Sequence, residues 1–91
     1  MNPIQKFNLA ASIVSEKVGE GLDQNQKLEI YSLYKQALQG DNKKPTEGLS
    51  GSDLVKCEAW NKKKGMSKDE AKKQYVELAM KFYPKEFEGK F

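Results

Sequence analysis

Apolar residues recur along this chain at intervals of three and four, the spacing that predicts helices rather than strands. The first helix opens at Asn2-Pro3, a capping side chain followed by a ring whose missing N–H is no loss at the first helical position. Phe7, Ala10, Ala11, Val14 and Val18 then form one stripe, and Gly19 with Gly21 ends it. Asp23, with Gln26 three residues on, reads as a capping box for a second helix that runs to Gly40. A third starts at Ser52 or Asp53, carries Leu54, Val55, Cys57, Ala59 and Trp60, and ends at Gly65. Ser67 with Glu70 caps a fourth, whose inward stripe is Ala71, Tyr75, Leu78, Ala79 and Phe82 and which Pro84 stops. The tail KEFEGKF alternates in charge and is expected to fray.

About a dozen residues separate the second and third helices, a length unusual for simple antiparallel neighbours. A crossover that lets these two helices run in similar directions accounts for it. The expected architecture is an all-α, four-helix arrangement around one core, in a single domain spanning residues 1–91.

Within the second helix, YSLYKQALQGD (Tyr31 to Asp41) carries more than packing requires. Tyr31, Tyr34, Lys35 and Leu38 fall within one arc of roughly 100°, and Ile30, Leu33 and Ala37 occupy the adjoining arc. One arc can bury against the core while the other displays two phenols and an ammonium. Phenols donate hydrogen bonds and offer flat apolar faces, and an ammonium is a compact point charge for phosphate. An amphipathic helix with half-buried tyrosines and a snorkelling lysine fits the same pattern. Ala10 and Ala11 are similarly two-sided: small residues admit either a neighbouring helix or a ligand. Lys56 and Trp60, four apart, share a face on which a cation could lie beside the indole. Lys62, Lys63 and Lys64 crowd the last turn of the third helix, where the helix dipole favours positive charge.

Composition narrows the chemistry. All sixteen basic residues are lysine and the formal net charge is +3. Without arginine the chain lacks the commonest base-reading side chain, which argues against sequence-specific DNA recognition. It contains no histidine, the usual general base and metal ligand near neutral pH. The one cysteine, Cys57, can form neither an internal disulfide nor a thiolate cluster, which fits a reducing compartment. No glycine-rich phosphate loop and no nucleophile–base pair is present. The expectation is a binding protein: no enzyme, no cofactor, no metal, cytoplasmic, with no membrane-spanning segment.

YSLYKQALQGD, followed by KCEAWNKKKGMSKDEA and then Tyr75, resembles the acyl-CoA-binding protein family, with similarity from Phe7 to about Phe82. The resemblance implies a four-helix bundle of up-down-down-up topology whose ligand is a medium-to-long-chain fatty acyl-CoA ester. It implies that Tyr31 and Lys35 hold the ribose 3′-phosphate and nucleotide, and that Lys56 reaches the same phosphate from the third helix. Tyr75 would line the adenine and acyl side, with Ala10 and Ala11 near the nucleotide. Tyr34 divides between site and core support, and Trp60 is mostly structural. Two positions depart from the family pattern. Ser15 stands where the family often has lysine, and Cys57 where it usually has tryptophan, which would leave a thiol beside the acyl chain. The crossover is also one residue shorter than typical and lacks a usual arginine. The expected role is a monomeric, non-catalytic carrier of acyl-CoA that meets acyl-CoA enzymes or membranes only transiently. The alternative is a small basic module for protein or nucleic-acid interaction.

Overall fold

The computed structural model describes residues 2–17, 20–43 and 45–90. Val18 and Gly19, which figure in the expectations above, lie outside the described residues. The described residues form five helices and no strand: α1 (Pro3–Lys17), α2 (Gln24–Gln39), α3 (Gly51–Asn61), α4 (Lys68–Phe82) and the single-turn α5 (Pro84–Phe87). Helices α1 to α4 make the four-helix bundle, up-down-down-up, with the long crossover between α2 and α3. No described helix is long and apolar enough to cross a membrane.

Local chemistry sets most of the helix ends. Asp23 Oδ1 accepts from the Gln26 amide at 2.8 Å, and Gln26 Oε1 accepts from the Asp23 amide at 3.0 Å, the full capping box. Asn2 and Gln5 form the same reciprocal pair at α1, at 2.8 and 3.1 Å. Ser67 caps α4 by accepting from Glu70 N at 3.1 Å. The third helix departs from expectation. Its N-cap is Ser50 rather than Ser52 or Asp53, and that cap makes no side-chain hydrogen bond. It also ends at Asn61, so the lysine triplet lies in the following turn and not in the helix.

The core lies between α1, α2 and α4. Phe7, Ala10 and Ile13 meet Ile30, Leu33 and Ala37 from α2 and Ala71, Tyr75, Val76 and Ala79 from α4. The inward arc of α2 is therefore the expected one, Ile30–Leu33–Ala37. Ile13 and Val76 join the core as well, while Ala11, Val14, Leu78 and Phe82 pack at its edge. Helix α3 stands apart from this cluster: its buried residues, Cys57 and Trp60, lean on the end of α2 and the start of the crossover. The result is a slab of 44 × 27 × 15 Å, thin enough that side chains on α2 and α3 share one open face.

The tail is docked rather than frayed. Pro84 ends α4 but also opens α5, where a ring at the first position is favourable. Phe87 is 4% exposed and belongs to the core cluster. Lys17 and Glu86 form an ion pair at 2.9 Å, and the Tyr83 hydroxyl donates to the Glu20 carbonyl at 2.9 Å, so α5 is tied to the end of α1. Phe87→Ala is expected to lower the unfolding free energy by about 3 kcal/mol, the low end for a buried phenylalanine because α5 can partly collapse onto the gap. Urea denaturation showing a loss below about 0.5 kcal/mol would mean that Phe87 does not support the core.

Candidate functional site

A buried amide fixes the end of α2. Gln36 has no exposed surface, yet every polar position on its side chain is used. Its Nε2 donates to Asp41 Oδ1 at 2.9 Å and to the Met66 carbonyl at 2.7 Å, and its Oε1 accepts from Trp60 Nε1 at 3.2 Å. The same indole N–H donates to the Gly40 carbonyl at 2.9 Å. Asp41 Oδ1 also accepts from the Gly65 amide at 2.8 Å. Gly40 and Gly65 sit at φ +75° and +93°, the left-handed region where a side chain would be strained, and so the chain can turn its carbonyl and amide into this knot. Among the described residues no buried side-chain nitrogen or oxygen lacks a partner. The bonds from Gly65 and Gln36 hold the Asp41 carboxyl below its ordinary pKa.

The knot positions a cationic cluster on the adjoining face. Lys35 Nζ lies 5.9 Å from the centroid of the Tyr31 ring and 5.8 Å from that of Trp60, and Lys56 Nζ lies 5.7 Å from Tyr31. The cation over the indole is therefore Lys35, from the neighbouring helix, while Lys56 turns to Tyr31. Two ammoniums within 6 Å of one ring repel each other, so an anion received between them relieves that repulsion. Burial first, then Cys57 and Asp53, push the Tyr31 phenol above its ordinary pKa.

An aromatic trio joins α1, α2 and α4. Phe7 stacks on Tyr34 at 5.9 Å between centroids, and Tyr75 is tilted against Phe7 at 5.1 Å and against Tyr34 at 5.8 Å. Tyr34 is half-buried, so it serves the core and still reaches the surface, whereas Tyr75 is 3% exposed. Burial holds the Tyr75 phenol far above its usual range. Of the two small residues, Ala10 has no exposed surface and only Ala11 is partly accessible. Cys57 likewise does not open onto a groove: it is buried, and its Sγ accepts from Asn42 Nδ2 at 3.0 Å. Of the eight side chains expected at a site, the structure brings Tyr31, Lys35 and Lys56 together on one face. Tyr34 and Ala11 lie at the margin of the core, and Ala10, Tyr75 and Cys57 lie inside.

Next to the cationic cluster is a hollow of about 300 Å³ between α2 and α3, lined by Leu28, Val55 and Ala59 with Asn25, Glu29, Glu58, Lys62 and Lys63 at its edges. Leu28 is one turn from Tyr31, and Val55 adjoins Lys56. Val55, one of the apolar residues of α3, is 41% exposed. The signal for this was legible. Val55, Ala59 and Lys62 follow i, i+4, i+7 and share a face that excludes Cys57 and Trp60. A second hollow, of about 340 Å³, lies between α2 and α4, lined by Glu29, Leu33, Gln74, Glu77, Leu78 and Lys81. Lys63, predicted as one of three dipole-facing lysines, is instead paired with Glu29 of α2.

Comparison with known proteins gives these features a context. Residues 4–79 match the family model described as Acyl CoA binding protein. The chain is similar to the acyl-CoA-binding protein of Saccharomyces cerevisiae, 48% identical over 52 residues, covering 56% of this chain and 60% of the yeast protein. It thus spans about three fifths of that relative's length. A Drosophila melanogaster acyl-CoA-binding protein homolog is 38% identical over 73 residues, 79% of this chain and 84% of the fly protein. Among solved structures, the Babesia bovis acyl CoA binding protein superposes with a TM-score of 0.78 at 36% identity, covering 94% of this chain and 98% of that one. The Oryza sativa Acyl-CoA-Binding Protein 2 does so with a TM-score of 0.84 at 25% identity, covering 97% and 98%.

The knot carries its own pH dependence. A carboxyl whose folded pKa is depressed contributes stability above its unfolded pKa, and that contribution is lost as pH falls through the folded value. For Asp41 the loss begins near the ordinary carboxylate value of about 3.9 and continues below it. Asp41→Asn is expected to be less stable than wild type at pH 7 and to lose less of its remaining stability between pH 5 and pH 3. Urea midpoints at the three pH values check this, and parallel acid losses in the two proteins would refute it.

Proposed function

Because the chain belongs to the acyl-CoA-binding protein family, we propose that it is a non-catalytic carrier of medium-to-long-chain fatty acyl-CoA esters. The observation that carries the proposal is the convergence of Lys35 and Lys56 on the Tyr31 ring beside the α2–α3 hollow. A phosphate on the ligand's ribose would sit between the two ammoniums and accept from the Tyr31 hydroxyl. Tyr34 and Ala11 offer the accessible apolar surface for the nucleotide's flat part. The acyl chain would enter the hollow over Leu28, Val55 and Ala59. Ala10, Tyr75 and Cys57 support that surface from below and make no ligand contact in this reading. The carrier works as a cytoplasmic monomer, in keeping with its one unpaired cysteine.

The two halves of the ligand divide the energy unequally. Burying a tail gains ~0.8 kcal/mol per methylene, whereas a charge-assisted hydrogen bond to phosphate gains about 1.5–3 kcal/mol. The head group therefore decides identity and the tail decides tightness, and ordering costs reduce both. A thermal-shift comparison of palmitoyl-CoA, free CoA and duplex DNA tests the class of ligand. Palmitoyl-CoA should raise the melting temperature most. Equal shifts with DNA would favour a polyanion-binding module, and no shift with any of the three would favour a protein-interaction module.

Lys35→Ala should weaken palmitoyl-CoA binding by about 2 kcal/mol, roughly thirtyfold. Most of that loss should vanish with the ester lacking its 3′-phosphate. Calorimetric titration giving the same loss for both ligands would take Lys35 off the phosphate.

A further inference from the structure

Glu29 is the one residue common to the α2–α3 hollow and the α2–α4 hollow. Its carboxylate is bonded to Lys63, which lines the first hollow and comes from the turn after α3. The Lys63 side chain is 16% exposed and that of Glu29 49%, so the pair is sheltered on its lysine side and wet on its glutamate side. On one side of it lie Leu28, Val55 and Ala59, and on the other Leu33 and Leu78. The two apolar surfaces are thus neighbours separated by an ion pair.

We infer that the Glu29–Lys63 pair is a partition that sets the acyl-chain length this protein holds best. The inference rests on the acyl-CoA reading and adds the residues that grade its ligands. A tail that ends within the α2–α3 hollow leaves the pair intact. A longer tail meets the pair and must either stay in water beyond it or open it and continue over Leu33 and Leu78. Desolvating a charged group against methylenes is unfavourable, so the pair halts the gain in affinity. An ion pair with one exposed partner is weakly held, so it halts the tail without forbidding passage. Neither residue could be found from local spacing, because they lie thirty-four positions apart on different elements.

Titration of the full chain with saturated acyl-CoAs from octanoyl to eicosanoyl tests the partition. For wild type, affinity should rise roughly tenfold for every two methylenes while the first hollow fills, then level off. Lys63→Met keeps an apolar stem and removes the charge. It should move the break to longer chains and raise the ratio of eicosanoyl- to dodecanoyl-CoA affinity about tenfold. Glu29→Gln should move the break the same way, and the double substitution should add little to either. An even rise through eicosanoyl-CoA in wild type overturns the partition, as do substitutions that shift every length alike. Absence of binding at every length is a different result, and it would fell the carrier reading along with the partition.

Discussion

The Gln36 carboxamide is the constraint on which the rest of the molecule depends. A buried amide left unpaired costs about 1–3 kcal/mol, so its partners must all arrive together. They come from three places: Asp41 at the start of the crossover, Trp60 on α3 and Met66 ahead of α4, and the indole donor of Trp60 is shared with the Gly40 carbonyl. An apolar side chain at position 36 would tolerate many registers between these segments. An amide with three directed bonds tolerates few. Helix α3 makes little use of the central hydrophobic cluster, and so directed polar bonds do for it what core packing does for α1, α2 and α4.

The site inherits this precision. Lys35 is the residue before Gln36, and Trp60 lies under Lys35, so the bond that closes the knot also sets the height of the ammonium over its ring. Asn42 extends the same network by donating to Cys57 Sγ and to Asn61 Oδ1, which ties the crossover to the inner face of α3. The outer face is then left to Val55, Lys56 and Ala59. A thiol at position 57 is small enough to take the asparagine amide as its neighbour. The resemblance to the family had suggested a side chain directed at the ligand, and burial directs it inward instead.

Helices were legible in the sequence because their causes are local. The period of the apolar residues, the Asp23–Gln26 box, the Ser67 cap and the break at Gly40 each involve residues within four positions of one another. The inward arc of α2 was legible for the same reason. What escaped depended on distance in sequence. Phe87 lies in a stretch of alternating charge after a proline, where no periodicity announces burial, and it is held by elements that precede it by many residues. The cation over Trp60 comes from α2, whereas a reading confined to α3 pointed to Lys56. The α3 start was misplaced by two or three positions because Ser52 and Asp53 are good capping residues that the helix instead absorbs into its first turn. The cationic face around Tyr31 could be anticipated from helical geometry within α2, but its distances to Lys56 could not.

For the proposed carrier, the separate attachment of α3 has a consequence for how cargo would leave. A helix held chiefly by a hydrogen-bonded knot, outside the main cluster, can open as its own cooperative unit while α1, α2 and α4 stay folded. Its amides would then exchange with solvent at a lower free energy than those of Leu33 or Tyr75. In the carrier proposed above, a ligand gripped by both Tyr31 and Lys56 would bridge that unit to the permanent part of the fold. Departure of the ligand and loosening of α3 would then lie along one coordinate. An acceptor that pulled α3 away would unload the protein without having to unfold it.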